Sequence, residues 1–84
     1  MKYRAYIKAM DHDAELDARA LLCPLPVLKA RKRLQALQSG QVLRVLADDP
    51  AAVVDVPHFC AEAGHELLSQ TDDGPVQVYL IRKR

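Results

Sequence analysis

The sequence predicts an α+β fold: a two-layer α/β sandwich, ordered β-α-β-α-β-β, in which a four-stranded mixed sheet carries two helices on one face. Three observations lead there. Segments 24–38 and 50–63 place apolar residues at spacings of three and four, and a glycine follows each. Segments 14–18, 41–47, 65–71 and 76–82 read as short strands, the last two joined by the turn signal DDGP. With 84 residues there is one domain and one small core, so two helices cannot cover both faces of such a sheet.

Each element has its own justification. Residues 1–13 show no sustained period and read as an arm before a single domain at 14–84. AELDA (14–18) is a short strand with Leu16 inward. Pro24 suits a first helical turn, where its missing N–H would be unpaired anyway. In the helix that follows, Val27, Ala30, Leu34 and Leu37 make the buried stripe, and Gly40 closes it. Leu25 and Leu28 fall off that stripe, beside Lys29 and Lys32, and offer a docking surface near residue 23. Scattered exposed leucines are also ordinary.

QVLRVLA (41–47) is a strand with Arg44 facing water and Val42 and Leu46 exposed beside it on the outer sheet face. In DDP, Asp49 can cap the second helix and Pro50 begin it. That helix aligns Val53, Val56, Pro57, Cys60 and Gly64. Pro57 removes one internal hydrogen bond and is expected to bend or divide it.

Composition excludes several function classes. The formal charge is +1, so direct nucleic-acid binding is not expected from the total. The clusters KARKRL and IRKR are the exception, and their plain reading is a solvated face. Two cysteines, Cys23 and Cys60, are too few for a disulfide scaffold and form no C-x-x-C pair. No apolar run approaches a membrane span, and the N-terminal residues lack a signal-peptide pattern, so a cytoplasmic protein with reduced thiols is expected. There is no phosphate loop and no metal-ligand cluster, and His12, His58 and His65 read as structural or incidental.

What remains is one sulfur. Cys23 stands at or next to the N-cap of the first helix, where outward N–H groups and the helix dipole favour thiolate. Arg19 is a candidate for further positive charge. Pro24 and Pro26 fix the helix start without losing an internal bond, holding the sulfur at a rigid exposed end. The alternative is a small apolar plug at the helix end. Cys60, on the stripe of the second helix, reads as core.

The chain resembles the TusA-type (SirA-like) sulfur-carrier family from about Leu16 to Lys83. The resemblance rests on LD (16–17), CPLP (23–26, the family's C-P-x-P), ADDP (47–50), GHELL (64–68) and YLIRK (79–83). Ala20 stands where many members have glycine, which stiffens the approach to Cys23. The resemblance implies that Cys23 accepts a sulfane sulfur as a persulfide from a cysteine desulfurase or other donor. It then passes that sulfur to a cysteine of a downstream relay protein, in tRNA thiolation, molybdenum-cofactor or sulfur-oxidation pathways. It implies no bound cofactor or metal, only a transient persulfide; separately, a monomer or weak dimer is expected. C-P-x-P supports Cys23, Pro24 and Pro26 alone; Leu25, Leu28, Lys29 and Lys32 as a docking rim come from the helical wheel, and Arg19 joins them as a nearby charge. The competing readings are a regulatory or RNA/protein-binding module in which Cys23 only caps a helix, and a Cys23–Cys60 thiol-redox protein.

Overall fold

Alternation along the central strand sets the two layers. In the computed structural model, which describes residues 12–84, strand β2 (Val42–Ala47) turns Leu43, Val45 and Ala47 into the core, all three fully buried. Arg44 and Leu46 lie half-buried on the opposite face. Strand β1 (Ala14–Asp17) pairs parallel to β2, with Leu16 opposite Val45. A parallel pair needs a crossover, and helix α1 (Leu25–Gln35) supplies it. Helix α2 (Ala52–Ala63) then leads to the hairpin of β3 (Glu66–Asp73) and β4 (Val76–Arg82). The sheet order is β1-β2-β4-β3, antiparallel except for β1 and β2. The mixed four-stranded sheet with two helices is the architecture expected. The arm expected at 1–13 lies outside the described residues apart from His12 and Asp13. Asp13 extends the β1–β2 pairing: its N–H donates to the Val42 carbonyl and its Oδ2 accepts from the Val42 N–H, both at 2.8 Å.

The helices differ from expectation in detail. The buried stripe of α1 is Pro26, Ala30 and Leu34, while Val27 and Leu37 are half-buried. Val27 is displaced because its side borders an open cleft rather than the sheet. The helix also stops at Gln35, short of 38. The Ala36 N–H donates to the Arg33 carbonyl and the Leu37 N–H to the Leu34 carbonyl, and the Gln38 N–H turns to the Gln41 side chain at 2.8 Å. Gly40, at φ +91°, serves the turn into β2 instead of ending the helix.

In α2 the buried residues are Ala52, Val56, Phe59 and Cys60; Val53 is exposed, contrary to the expected stripe. Phe59 decides the rotation, being the largest apolar side chain on the helix. Pro57 does not divide α2, which runs unbroken from Ala52 to Ala63, because bonds on both sides carry the helix past one missing donor. Asp49 is not its cap residue; Ala51 holds that position. On the outer sheet face Val42 is buried rather than exposed.

His65 closes the far end. Gly64, in the left-handed region at φ +82°, ends α2 as expected. The His65 ring stands 5.7 Å from Phe59, and its Nδ1 accepts a 3.0 Å bond from the Arg84 N–H. Burial, then the charges of Lys83 and Arg84, lower its pKa from the ordinary 6.5. The unfolded chain therefore binds the proton first as pH falls. Stability fully present above about pH 6.5 is expected to decline as pH drops through that value toward the folded pKa. Urea midpoints measured at about pH 7.5 and 5.5 check this, and His65→Gln should flatten the difference.

Candidate functional site

The site is built where β1 runs out. The Ala18 N–H still pairs with the Leu46 carbonyl at 2.8 Å, and the chain then turns at Arg19 and Ala20. Ala20 sits in the left-handed region at φ +68°, a conformation that costs a residue with a Cβ roughly 1–2 kcal/mol and that glycine adopts freely. Two aspartates just past β2 secure this loop. Asp48 Oδ1 accepts from the Ala20 N–H at 2.9 Å, and Asp49 Oδ2 accepts from the Cys23 N–H at 2.6 Å. Asp49 Oδ1 also accepts from the Ala51 N–H at 3.3 Å, tying the start of α2 to the cysteine loop.

Behind Asp49 the anchoring reaches into the core. Gln77 Nε2 donates to the Asp49 carbonyl at 3.0 Å, and Gln77 Oε1 accepts from the buried Tyr79 hydroxyl at 2.6 Å. Cys23 is thus held through its backbone while its sulfur stays exposed. A hydrogen bond to a charged acceptor contributes about 1.5–3 kcal/mol. Asp49→Ala is expected to lower stability by about that amount in urea unfolding and to expose the Cys23 amide to exchange. Unchanged amide protection would contradict the anchoring role.

The electrostatics of the sulfur correct the expectation. Pro24 is the N-cap residue and makes no side-chain cap, and Cys23 stands next to it, two residues before the first helical residue Leu25. Its thiol pKa is raised, not lowered. Hydrogen bonding to the Asp55 carboxylate is the largest cause, followed by burial and the charges of Asp55 and Asp49. Nearby carboxylates disfavour the thiolate, and they act on the sulfur directly, whereas the helix begins only at Leu25. Arg19 does not supply the expected compensation. Its guanidinium is bonded to Asp17 at 2.9 Å through both Nε and Nη2, which with the Arg19 N–H holds the Asp17 carboxyl down at about 2.

The sulfur opens on a cleft of about 190 Å³ between the helices, lined by Cys23, Val27 and Arg31 on one side and Asp55, His58 and Glu62 on the other. Leu22 (68% exposed), Leu25 (43%) and Leu28 (49%) leave apolar surface around the start of α1. Pro24 is exposed and Pro26 is buried beneath the first turn. Lys29 and Lys32 are exposed but border a second groove, with Leu16, Arg33 and Ala36, and not the cleft of the sulfur. Sequence reasoning did not single out Leu22, Asp55 or Arg31 for the site, and gave Asp49 only a capping role. The signal available was ADDP, whose two adjacent carboxylates serve the preceding loop.

Cys60 is buried and its thiol is pushed up to about 11 by that burial, as suits a core residue. Both cysteines are free. Three cations of the basic clusters are engaged within the chain: Arg31 lies over the Phe59 ring, Arg33 donates to the Glu15 carbonyl, and Arg82 pairs with Glu66. Among the described residues no group of three or more His, Cys, Asp or Glu is placed to hold a metal, and no helix is long and apolar enough to cross a membrane.

Comparison with known proteins agrees with this geometry. The family model for Sulfurtransferase TusA matches residues 14–83. The chain is 48% identical over 73 residues to the Sulfur carrier protein TusA of Allochromatium vinosum, covering 87% of this chain and 96% of that protein. It is 47% identical over 73 residues to the Sulfur carrier protein TusA of Pseudomonas entomophila, covering 87% and 91%. The crystal structure of the SirA-like protein from Desulfitobacterium hafniense superposes with a TM-score of 0.75 at 26% identity, over 83% of this chain and 96% of that one. With a family model spanning nearly all of the described residues and relatives at almost half identity, the chain belongs to the TusA sulfurtransferase family.

Proposed function

We propose that the protein is a sulfur carrier that takes up a sulfane sulfur as a persulfide on Cys23 and delivers it to a cysteine of a second protein. One observation supports this above the rest: a free, exposed thiol whose own amide is fixed by a 2.6 Å bond to Asp49, with apolar surface around it and only a shallow cleft beside it. A carrier must offer its sulfur to two partners in turn, and an enzyme pocket would obstruct the second.

The chemistry balances without a cofactor of the carrier's own. The Cys23 thiolate attacks the outer sulfur of a donor persulfide, R–S–SH. A new S–S bond forms on Cys23, the donor S–S bond breaks, and R–S⁻ leaves and is protonated. The outer sulfur changes carriers with no net oxidation or reduction. Delivery repeats the exchange, with an acceptor thiolate attacking the outer sulfur and Cys23 leaving. The donor is a cysteine desulfurase or another sulfane source. Leu22, Leu25 and Leu28 form the surface both partners cover, and the cycle runs where thiols stay reduced, as in the cytoplasm.

The test is an intact mass of the purified protein after incubation with a cysteine desulfurase and cysteine, before and after reduction. The expected result is a gain of one sulfur atom that reduction removes. No gain from a desulfurase or from inorganic polysulfide would favour a binding module in which Cys23 only shapes the loop.

A further inference from the structure

The loading step makes no use of Asp55, yet this residue lines the cleft that Cys23 also lines. Asp55 lies in the first turn of α2, half-buried, and lines the same cleft as Cys23. The charged groups around that sulfur come from every element packed there. Asp49 approaches from the loop after β2; Asp55, His58 and Glu62 from α2; and Arg31 from α1. The two potential cations already have partners. The Arg31 guanidinium stands over the Phe59 ring, 5.3 Å from its centre, and His58 Nε2 is 3.5 Å from Glu62 Oε2. Arg31 keeps its charge over that neutral ring, but among the described residues neither Asp49 nor Asp55 is held in an ion pair, so these carboxylates are not neutralised in the free protein.

We propose that Asp55 is a positioning residue for the sulfur: it keeps Cys23 a neutral thiol in the free carrier and favours partners that bring a cationic group into the cleft. A carboxylate accepts a hydrogen bond from S–H and repels S⁻, so it disfavours the nucleophilic form. A cation from a docked protein reverses both effects, and water excluded at the contact strengthens the reversal. Cys23 then gives up its proton and attacks the donor's outer sulfur, and that proton ends on the donor thiolate released when its S–S bond breaks. An exposed lone thiol is thereby kept from stray electrophiles until a partner docks. The partner half of this inference rests on the carrier reading; the protonation half does not.

Two measurements test it on the full chain. The first is the pH profile of iodoacetamide alkylation at Cys23, resolved from Cys60 by peptide mass. Asp55→Asn should move its midpoint to lower pH and speed alkylation several-fold at neutral pH. Asp55→Ser should do the same without an amide, and Asp55→Glu should restore the wild-type profile. The second compares disulfide exchange with cystamine, a dication, and with dithiodipropionate, a dianion. Wild-type Cys23 should react faster with the cation, and Asp55→Asn should reduce that preference several-fold. An unchanged midpoint in both Asn and Ser variants overturns the proposal, and an unchanged preference overturns its partner half. Desulfurase loading of the wild-type protein is followed in parallel. Its failure would count against the carrier reading and leave the alkylation result to decide the role of Asp55.

Discussion

Replacing Cys23 by serine is expected to abolish sulfur uptake, leaving only the background seen without donor, while the fold stays intact. The two halves of that expectation have separate causes. A hydroxyl gives up its proton far less readily than a thiol and cannot become the soft nucleophile that displaces one sulfur from another. The fold, in contrast, holds residue 23 by its backbone N–H on Asp49, which serine retains, and the side chain is exposed. Stability should therefore change by no more than about 0.5 kcal/mol, as is usual for surface substitutions. Cys60→Ser should do the opposite. It keeps uptake but costs about 1–3 kcal/mol, because its hydroxyl enters an apolar core. Intact mass and urea unfolding of the two variants separate the roles. Uptake surviving Cys23→Ser would move the chemistry elsewhere.

The largest loss of stability is expected from Leu43→Ala. Leu43 is fully buried on the central strand, with Ala14 opposite it on β1 and Ile81 opposite it on β4. Removing its side chain leaves a cavity that small neighbours such as Ala14 cannot fill. Such changes cost about 2–5 kcal/mol. In a domain of this size that corresponds to a fall in Tm of roughly 10–30 °C. The consequence reaches the site, because β2 runs directly into Asp48 and Asp49, which hold the cysteine loop. Thermal unfolding followed by circular dichroism checks this. A fall below about 5 °C would place the weight of the core outside β2.

How far the sequence revealed this arrangement depended on the range of the interaction. Strand alternation in QVLRVLA and the DDGP turn are local, and they give β2 and the hairpin close to their observed limits. The reactive cysteine was also legible, because a lone Cys between an apolar triplet and two prolines has few structural explanations. Its electrostatics were not. The helix-end argument counts residues adjacent in sequence, whereas Asp55 and Asp49 reach Cys23 across more than 25 residues of chain. Helical wheels failed for a related reason. They rank faces by composition, and so could not see that Phe59, not Val53, would turn inward, or that Val27 would border a cleft. The same wheel groups Lys29 and Lys32 with Leu25 and Leu28 near the sulfur, yet the two lysines border another groove.

The central claim is that Cys23 both receives and gives up sulfur, and delivery tests it more directly than uptake. The protein is loaded by a cysteine desulfurase with isotopically heavy sulfur from labelled cysteine, freed of donor, and mixed with an unlabelled reduced thiol acceptor. The account predicts that the heavy sulfur leaves Cys23 and appears as the acceptor's persulfide or as sulfide, with Cys23 returned to a thiol that can be loaded again. Heavy sulfur that stays on Cys23, or a Cys23 that cannot be reloaded, would contradict it.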